Sequence, residues 1–160
     1  MRAKDEAERP TPAEQLRALV EKFPAKDQKL FRALRTSMRK RFPTANELAY
    51  DYGNSVVLSY APNERGIDAV VAIALRPDDV RLYFNQSAVL PDPKKLLLGT
   101  GKQARYGPIA AASDVAKADV KKLLDAALAA APIPLPAEGA GVLMIKSDGA
   151  KRKARKRAKK

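Results

Sequence analysis

The sequence contains no cysteine and no histidine. Without cysteine, disulfides, thiolate nucleophiles and zinc–thiolate sites are all excluded. Without histidine, the chain lacks the usual general base and the commonest transition-metal ligand. An enzyme of this composition would depend on Asp, Glu, Lys, Tyr or Ser, and no recognisable spacing of these residues occurs. We therefore expect a protein that is not an enzyme, with no catalytic residues, no metal site and no cofactor.

Long hydrophobic runs are also missing. The first ten residues, MRAKDEAERP, have no apolar segment behind them, which is unlike a secretory signal. The apolar stretch 126–145 contains Pro132, Pro134 and Pro136, together with Gly139 and Gly141, which a membrane-spanning helix would not tolerate together. These features predict a cytoplasmic protein with no membrane partner.

Positive charge is abundant, and it is concentrated at one end of the chain. The net charge is +13, but the last ten residues hold eight of the 31 Lys and Arg, which leaves a balance of only +5 elsewhere. Such a block repels itself and buries no apolar surface, so we expect residues 147–160 to be a disordered polybasic tail and residues 1–10 to be loose. The predicted polyanion-binding residues are Lys151, Arg152, Lys153, Arg155, Lys156, Arg157, Lys159 and Lys160.

Residues 11–146 are predicted to form one α+β domain, with an antiparallel sheet of about five strands packed against an N-terminal helical hairpin and a C-terminal helix. Thr11, Pro12 and Glu14 form a helix start, and a second helix is expected over 25–41. Period-two patterns with turn residues predict strands at 47–51, 56–60, 67–75, 80–84 and 105–112. A helix is expected from 114 to about 130, and a late strand at 142–145. The oligomeric state is left open.

The second helix carries three arginines on a common side, Arg32, Arg35 and Arg39. Arginines at this spacing can contact successive phosphates. The favoured interpretation is the solvated outer face of an amphipathic helix, and a phosphate-binding face is the alternative.

A second group of basic residues surrounds a glycine-containing loop. Asp92 followed by Pro93 is typical of a helix start, so a short helix is expected over 92–98. The following Gly-Thr-Gly-Lys sequence lacks the glycine spacing and the Ser or Thr of a phosphate-binding P-loop, and a glycine helix cap with a turn explains it. A possible anion-contact cluster is nevertheless kept, consisting of Lys94, Lys95, Gly99, Gly101, Lys102 and Arg105.

Several local motifs resemble those of the YdhG-like family, whose members are mostly described only as a domain of unknown function. The resemblance covers about residues 13–131, and its most specific part is Leu90-Pro-Asp-Pro-Lys94 with Leu97-Leu-Gly-Thr-Gly-Lys102 and Arg105. Glu47 to Asp51, Tyr52-Gly53-Asn54 and Leu82-Tyr-Phe84 also match. The chain departs where many members carry a Trp and a Pro near Tyr52, because it has no Trp. The resemblance implies an α+β fold and, for one branch, a frataxin-like iron-chaperone role.

These observations favour a non-enzymatic binding module whose tail contacts RNA, DNA or other polyanions. If about six phosphates of a duplex were bound, log K would fall with log salt with a slope near −5. The alternatives are an iron-binding or iron-delivery chaperone of frataxin type, a small-ligand-binding domain, and a protein–protein adaptor. Iron binding would require clustered carboxylates, whereas the acidic residues of this sequence are scattered.

Overall fold

The computed structural model describes residues 10–85, 90, 92, 95–99, 104–107 and 109–146. Of the predicted terminal segments, 1–10 and 147–160, all but Pro10 lie outside the described residues. Three α-helices and six strands are formed in the described part of the chain. They are α1 (Pro12–Val20), α2 (Ala25–Arg41), β1 (Asn46–Asp51), β2 (Val56–Ala61), β3 (Val71–Leu75), β4 (Val80–Asn85), β5 (Ala104–Gly107), α3 (Ala118–Ala130) and β6 (Leu143–Lys146).

The strands form one sheet with the order β5-β4-β3-β2-β1-β6. Neighbouring strands are antiparallel except β6, which pairs with β1 in parallel, so that Glu47 lies opposite Leu143. The predicted α+β class is confirmed. The sheet has six strands because the late strand is added at the free edge of β1.

All three helices pack on the same face of the sheet, which we call the covered face. Buried side chains of the helices, including Phe31, Leu34 and Leu124, share one hydrophobic cluster with Leu58 and Ile73 of the central strands. Burying a side chain of this size stabilises the fold by about 1.5–3 kcal/mol. The cluster is therefore the main source of stability, and it fixes the sheet against the helices.

The beginning of α1 follows from its sequence. The hydroxyl of Thr11 accepts a hydrogen bond of 3.2 Å from the backbone N–H of Glu14, and Pro12 occupies the first turn. The N-terminus of α2 has no side-chain cap, since Pro24 precedes it. Its stability comes instead from the buried stripe of Phe31, Leu34 and Met38, which recurs at helical spacing.

Two predicted strands are shorter than expected. Residues Gly66–Asp68 form a 3₁₀ turn, so β3 begins only at Val71. The amide of Asn63 donates a 3.0 Å hydrogen bond to Asp68, and this bond holds the turn. β5 ends at Gly107, and Ala112–Ala116 form a second 3₁₀ turn, where the carboxylate of Asp114 accepts hydrogen bonds from the backbone N–H groups of Ala110 and Ala111.

The predicted short helix near Asp92 is wrong for the residues that the structure describes. Residues 95–97 are not helical, and Lys95 has a left-handed backbone with φ of 52°. The carboxylate of Asp92 accepts hydrogen bonds of 2.7 and 2.9 Å from the N–H groups of Leu96 and Leu97. A helix cap would accept from the second and third residues after Asp92, so the shift of these bonds to Leu96 and Leu97 shows that the aspartate holds a wider loop and not a helix.

The chain approaches β6 through a close backbone contact. The N–H of Gly141 donates a 3.0 Å hydrogen bond to the carbonyl of Pro43, and the N–H of Val142 donates one of 3.0 Å to the side chain of Asn46. A Cβ atom at Gly141 would overlap the carbonyl oxygen of Ala45. Only glycine therefore allows the chain to enter the sheet here.

Candidate functional site

The side of the sheet opposite the helices, which we call the open face, has no α-helix on it among the described residues. Its side chains alternate with those of the covered face, as the period of two requires. Only a small apolar cluster forms there, in which Leu48, Ala61 and Ala69 pack with Tyr50 and Met144. An antiparallel sheet with an uncovered side usually presents polar residues to water, so the aromatic content of this side needs a different explanation.

Four of the five tyrosines belong to the open face. The rings of Tyr50 and Tyr52 stack at the β1 side, with centroids 6.3 Å apart and planes at 23°. The rings of Tyr83 and Tyr106 lie at the β4–β5 side, 5.5 Å apart and tilted by 57°. All four side chains are partly exposed to solvent.

Small side chains separate the two tyrosine pairs. Ser59 and Ala72 lie opposite each other on β2 and β3, and Ala74 lies opposite Val57 one step along. Because these side chains are short and the tyrosines on either side are long, the centre of the open face is a trough. From β1 to β4 the trough spans three strand intervals, or about 14 Å.

Two adjacent cavities occupy this trough. The larger has a volume of about 480 Å³ and is lined by Tyr50, Tyr52, Ser59 and Lys146, and by residues of the 3₁₀ turn. The smaller has a volume of about 320 Å³ and lies between Tyr52 and Tyr83 over Val57 and Ala74. Gly66 forms part of the wall of the larger cavity, close to the Tyr50 hydroxyl. A Cβ atom at this position would press on that hydroxyl.

Charged side chains surround the trough in pairs of opposite sign. The guanidinium of Arg81 lies 4.0 Å from the centroid of the Tyr106 ring and donates hydrogen bonds to Asp79 at 2.9 Å and to the Tyr83 hydroxyl at 3.2 Å. Arg76 also contacts Asp79, at 3.4 Å, and Lys146 lies 3.9 Å from Glu64. Acidic partners therefore hold these cations at the rim of the trough, and the net charge of the open face is close to zero.

The arginines of α2 have different roles from one another. Arg35 donates hydrogen bonds of 2.9 and 3.0 Å to the two carboxylate oxygens of Glu47, whose side chain is only 6% exposed. Arg39 lies 3.6 Å from the same carboxylate, and Arg32 donates to Gln28. Arg32 and Arg39 are exposed, as expected for the solvated outer face of the helix, whereas Arg35 is bound by Glu47 of the sheet. The alternative, a phosphate-binding face of all three arginines, is therefore divided.

Tyr60 completes this internal cluster on the covered face. Its hydroxyl donates a 2.9 Å hydrogen bond to Glu47. Burial, followed by the neighbouring carboxylate, raises the pKa of the Tyr60 hydroxyl above its usual range, and the hydrogen bond to Glu47 raises the pKa of the Arg35 guanidinium. The cluster joins α2 to β1 and β2 and does not reach the trough.

The predicted anion-contact cluster is only partly described. Lys94, Gly101 and Lys102 lie outside the described residues, as does the whole of the tail from Lys151 to Lys160. Lys95 and Arg105 are exposed, and Arg105 lies opposite Phe84, in register with the covered face. Gly99 has φ of 102° and lies beside the Tyr106 ring. This glycine therefore allows the chain to turn next to the tyrosine.

Sequence reasoning missed the tyrosine face. A signal was present, because Tyr83 is out of phase with the buried residues Leu82 and Phe84 on the same strand. Tyr50 and Tyr52 are two residues apart, which places both on one side of an extended chain. The missing information was the order of the strands, which brings the two pairs to opposite sides of one trough.

The described residues give no support to iron binding, since no group of three or more Asp, Glu, His or Cys side chains able to hold a metal ion occurs among them. Nor does this part of the chain contain a helix long and apolar enough to cross a membrane. No family model, curated protein or solved structure matches the chain. The YdhG-like resemblance therefore stays a prediction.

Proposed function

We propose that this protein is a non-enzymatic module that binds single-stranded nucleic acid, with bases stacked on the open face and phosphates neutralised by the polybasic tail. The observation that carries the proposal is the placement of Tyr50, Tyr52, Tyr83 and Tyr106 on the one side of the sheet that no described helix covers. Aromatic platforms of this kind bind unpaired bases without strong sequence preference.

The charge distribution supports a division of labour between the face and the tail. At the trough, Arg76 and Arg81 share Asp79, and Lys146 lies near Glu64, so little net positive charge is available there. The last ten residues carry eight cations and no acid. Stacking on the face would select unpaired bases, while the tail would supply the salt-dependent part of the affinity.

Duplexes fit the open face poorly. Bases in a duplex are stacked on each other and present only their edges in the grooves. The trough offers rings rather than a protruding helix or ribbon that could enter a groove. We therefore expect single strands to bind more tightly than a duplex of the same length, although the tail would give both some affinity.

Fluorescence anisotropy with labelled 12-nucleotide single strands of DNA and RNA, and with the matched duplexes, tests the proposal. The intact chain is compared with Tyr83→Leu, with Tyr83→Phe as the matched control, and with a variant lacking residues 151–160. Loss of one stacking ring costs about 1–3 kcal/mol per base, so Tyr83→Leu should bind roughly 5- to 150-fold more weakly, while Tyr83→Phe should retain affinity.

The salt dependence tests the role of the tail. If about six phosphates of a single strand are neutralised, log K should fall with log salt with a slope of about −4, and the truncated variant should show a slope near −1. Equal binding of Tyr83→Leu and the intact chain would overturn the role of the open face. An unchanged slope after truncation would overturn the role of the tail.

A further inference from the structure

We infer that the open face holds two consecutive bases in two separate sites that share Tyr52 as their common wall, so that a dinucleotide is the smallest ligand that fills the trough. This inference rests on the proposed function and specifies the unit of ligand that the same face recognises. It is carried by the arrangement of the two cavities around one side chain.

The two cavities are neighbours with a defined boundary. Both are lined by Tyr52 and by Val57 below it, and their remaining lining residues differ. Val57 belongs to β2, at the floor of the trough, and Tyr52 follows the end of β1. The tyrosine therefore contributes to both cavities, and a base in either one would contact it.

Each cavity has a second aromatic ring of its own. In the smaller cavity the ring is Tyr83, which stands across the floor formed by Val57 and Ala74. In the larger cavity it is Tyr50, which stacks on Tyr52 at 6.3 Å. Volumes of about 320 and 480 Å³ lie within the range of small-ligand pockets, and neither cavity is large enough to enclose a duplex.

Cations line both sites. Lys146 and Arg65 line the larger cavity and Arg76 lines the smaller one. Their acidic partners are at 3.9 Å for Lys146, 3.8 Å for Arg65 and 3.4 Å for Arg76, longer than a strong charge-assisted hydrogen bond. Such loosely paired cations can turn to a phosphate at small cost, which places phosphates on either side of the shared tyrosine.

The polar groups of the two sites differ, which gives the bound strand a direction. Besides its two cations, the larger cavity contains Ser59 and Glu64, whereas the smaller one has Ser55 and Arg76 and no acidic side chain. A base in the larger cavity therefore meets a hydroxyl and a carboxylate, while its neighbour lies between two rings over an apolar floor. Stacking dominates the smaller site, and hydrogen bonding contributes more in the larger one.

The experiment measures the affinity of the intact chain for thymidine 5′-phosphate and for thymidine oligonucleotides of two, three and four residues. Chemical-shift titration at 0.3 M salt is used because salt weakens the contribution of the tail. We expect the step from one to two residues to raise affinity about tenfold or more, and each later step to add less than about threefold.

Variants separate the two sites. Tyr83→Leu should lower the affinity for the dinucleotide to about that for the mononucleotide, because one site survives. Tyr52→Leu should remove the gain in affinity from the second nucleotide and should also weaken binding of the mononucleotide. Tyr52→Phe should bind both ligands as the intact chain does. A uniform gain in affinity for each nucleotide from one to four would overturn this inference. So would an unchanged rise in affinity from mononucleotide to dinucleotide in Tyr52→Leu.

The two proposals fail differently. If 12-nucleotide strands bind in a manner that depends on Tyr83 but the dinucleotide step is absent, the shared-wall inference is wrong and the proposed function stands. If neither the short nor the long single strands bind the intact chain, the proposed function is wrong and this inference is overturned with it.

Discussion

Arg35 and Glu47 form a doubly hydrogen-bonded ion pair between α2 and β1, with N–O distances of 2.9 and 3.0 Å. The carboxylate is buried on the covered face, where it also accepts a hydrogen bond from Tyr60. A charge in such a place is tolerated only when its hydrogen-bonding capacity is filled. This pair therefore holds the helix to the sheet on the side opposite the trough.

Replacing Glu47 by Gln should destabilise the fold by about 2–3 kcal/mol, because Arg35 and Tyr60 would lose a charged partner in a largely buried place. Urea unfolding followed by circular dichroism measures the change. Arg39→Gln is the matched control, since Arg39 is 61% exposed and lies 3.6 Å from the carboxylate. Arg39→Gln should lower the free energy of unfolding by less than about 1 kcal/mol. Equal effects of the two substitutions would contradict the role given to this pair.

Asp114 should make the fold sensitive to acid. Hydrogen bonds from Lys117, and from the backbone of Ala110 and Ala111, lower the pKa of its carboxyl from 3.8 to about 2. Because the folded pKa is the lower one, the stabilisation is present above about pH 4 and is lost as the pH falls towards 2. The free energy of unfolding should decline by about 1–2 kcal/mol across this window for this group.

The measurement is urea unfolding at several pH values for the intact chain and for Asp114→Asn. The asparagine variant should be less stable at neutral pH and should show a flatter decline between pH 4 and 2. Asp125→Asn is a suitable control, since the side chain of Asp125 is 70% exposed. Parallel acid profiles for the intact chain and Asp114→Asn would refute the assignment.

Gly141→Ala should release β6 from the sheet, because the added methyl group would overlap the carbonyl oxygen of Ala45. Amide hydrogen exchange should then show faster exchange at Glu47, whose N–H bonds to the carbonyl of Val142, and along β6. Gly139→Ala is the control, since an added Cβ at Gly139 would meet no atom within 4 Å. Its φ of 96° predicts a loss of about 1–2 kcal/mol in the free energy of unfolding, without release of β6. Unchanged protection of Glu47 in Gly141→Ala would contradict the predicted release.

The sequence predicts the framework of this fold better than its candidate site. The hairpins and α2 follow from local information, because turn residues and hydrophobic periodicity act over a few positions. Asp92 shows the limit of such reasoning, since its carboxylate accepts from Leu96 and Leu97, two positions beyond the donors of a helix cap. Local signals identify Asp92 as a residue that binds nearby backbone N–H groups, but not which groups it binds or the conformation of the chain beyond it.

The trough could not be predicted because it depends on residues far apart in the chain. Tyrosine is favoured in strands whichever side it faces, and Tyr60 is buried whereas Tyr83 is half-buried. The burial of Glu47 likewise required Arg35 and Tyr60 to meet it from two other elements. Conversely, the clustering of basic residues in 151–160 follows from composition alone, and their role in binding stays a prediction.

The parallel pairing of β6 with β1 joins residues about a hundred positions apart, such as Tyr50 and Lys146. The ribosome makes β6 about a hundred residues after β1, so this edge of β1 lacks β6 as its partner while the intervening residues are being synthesised. Unpaired edges invite association with other chains. The nascent chain therefore exposes a hydrogen-bonding strand edge for as long as β6 has not left the ribosome.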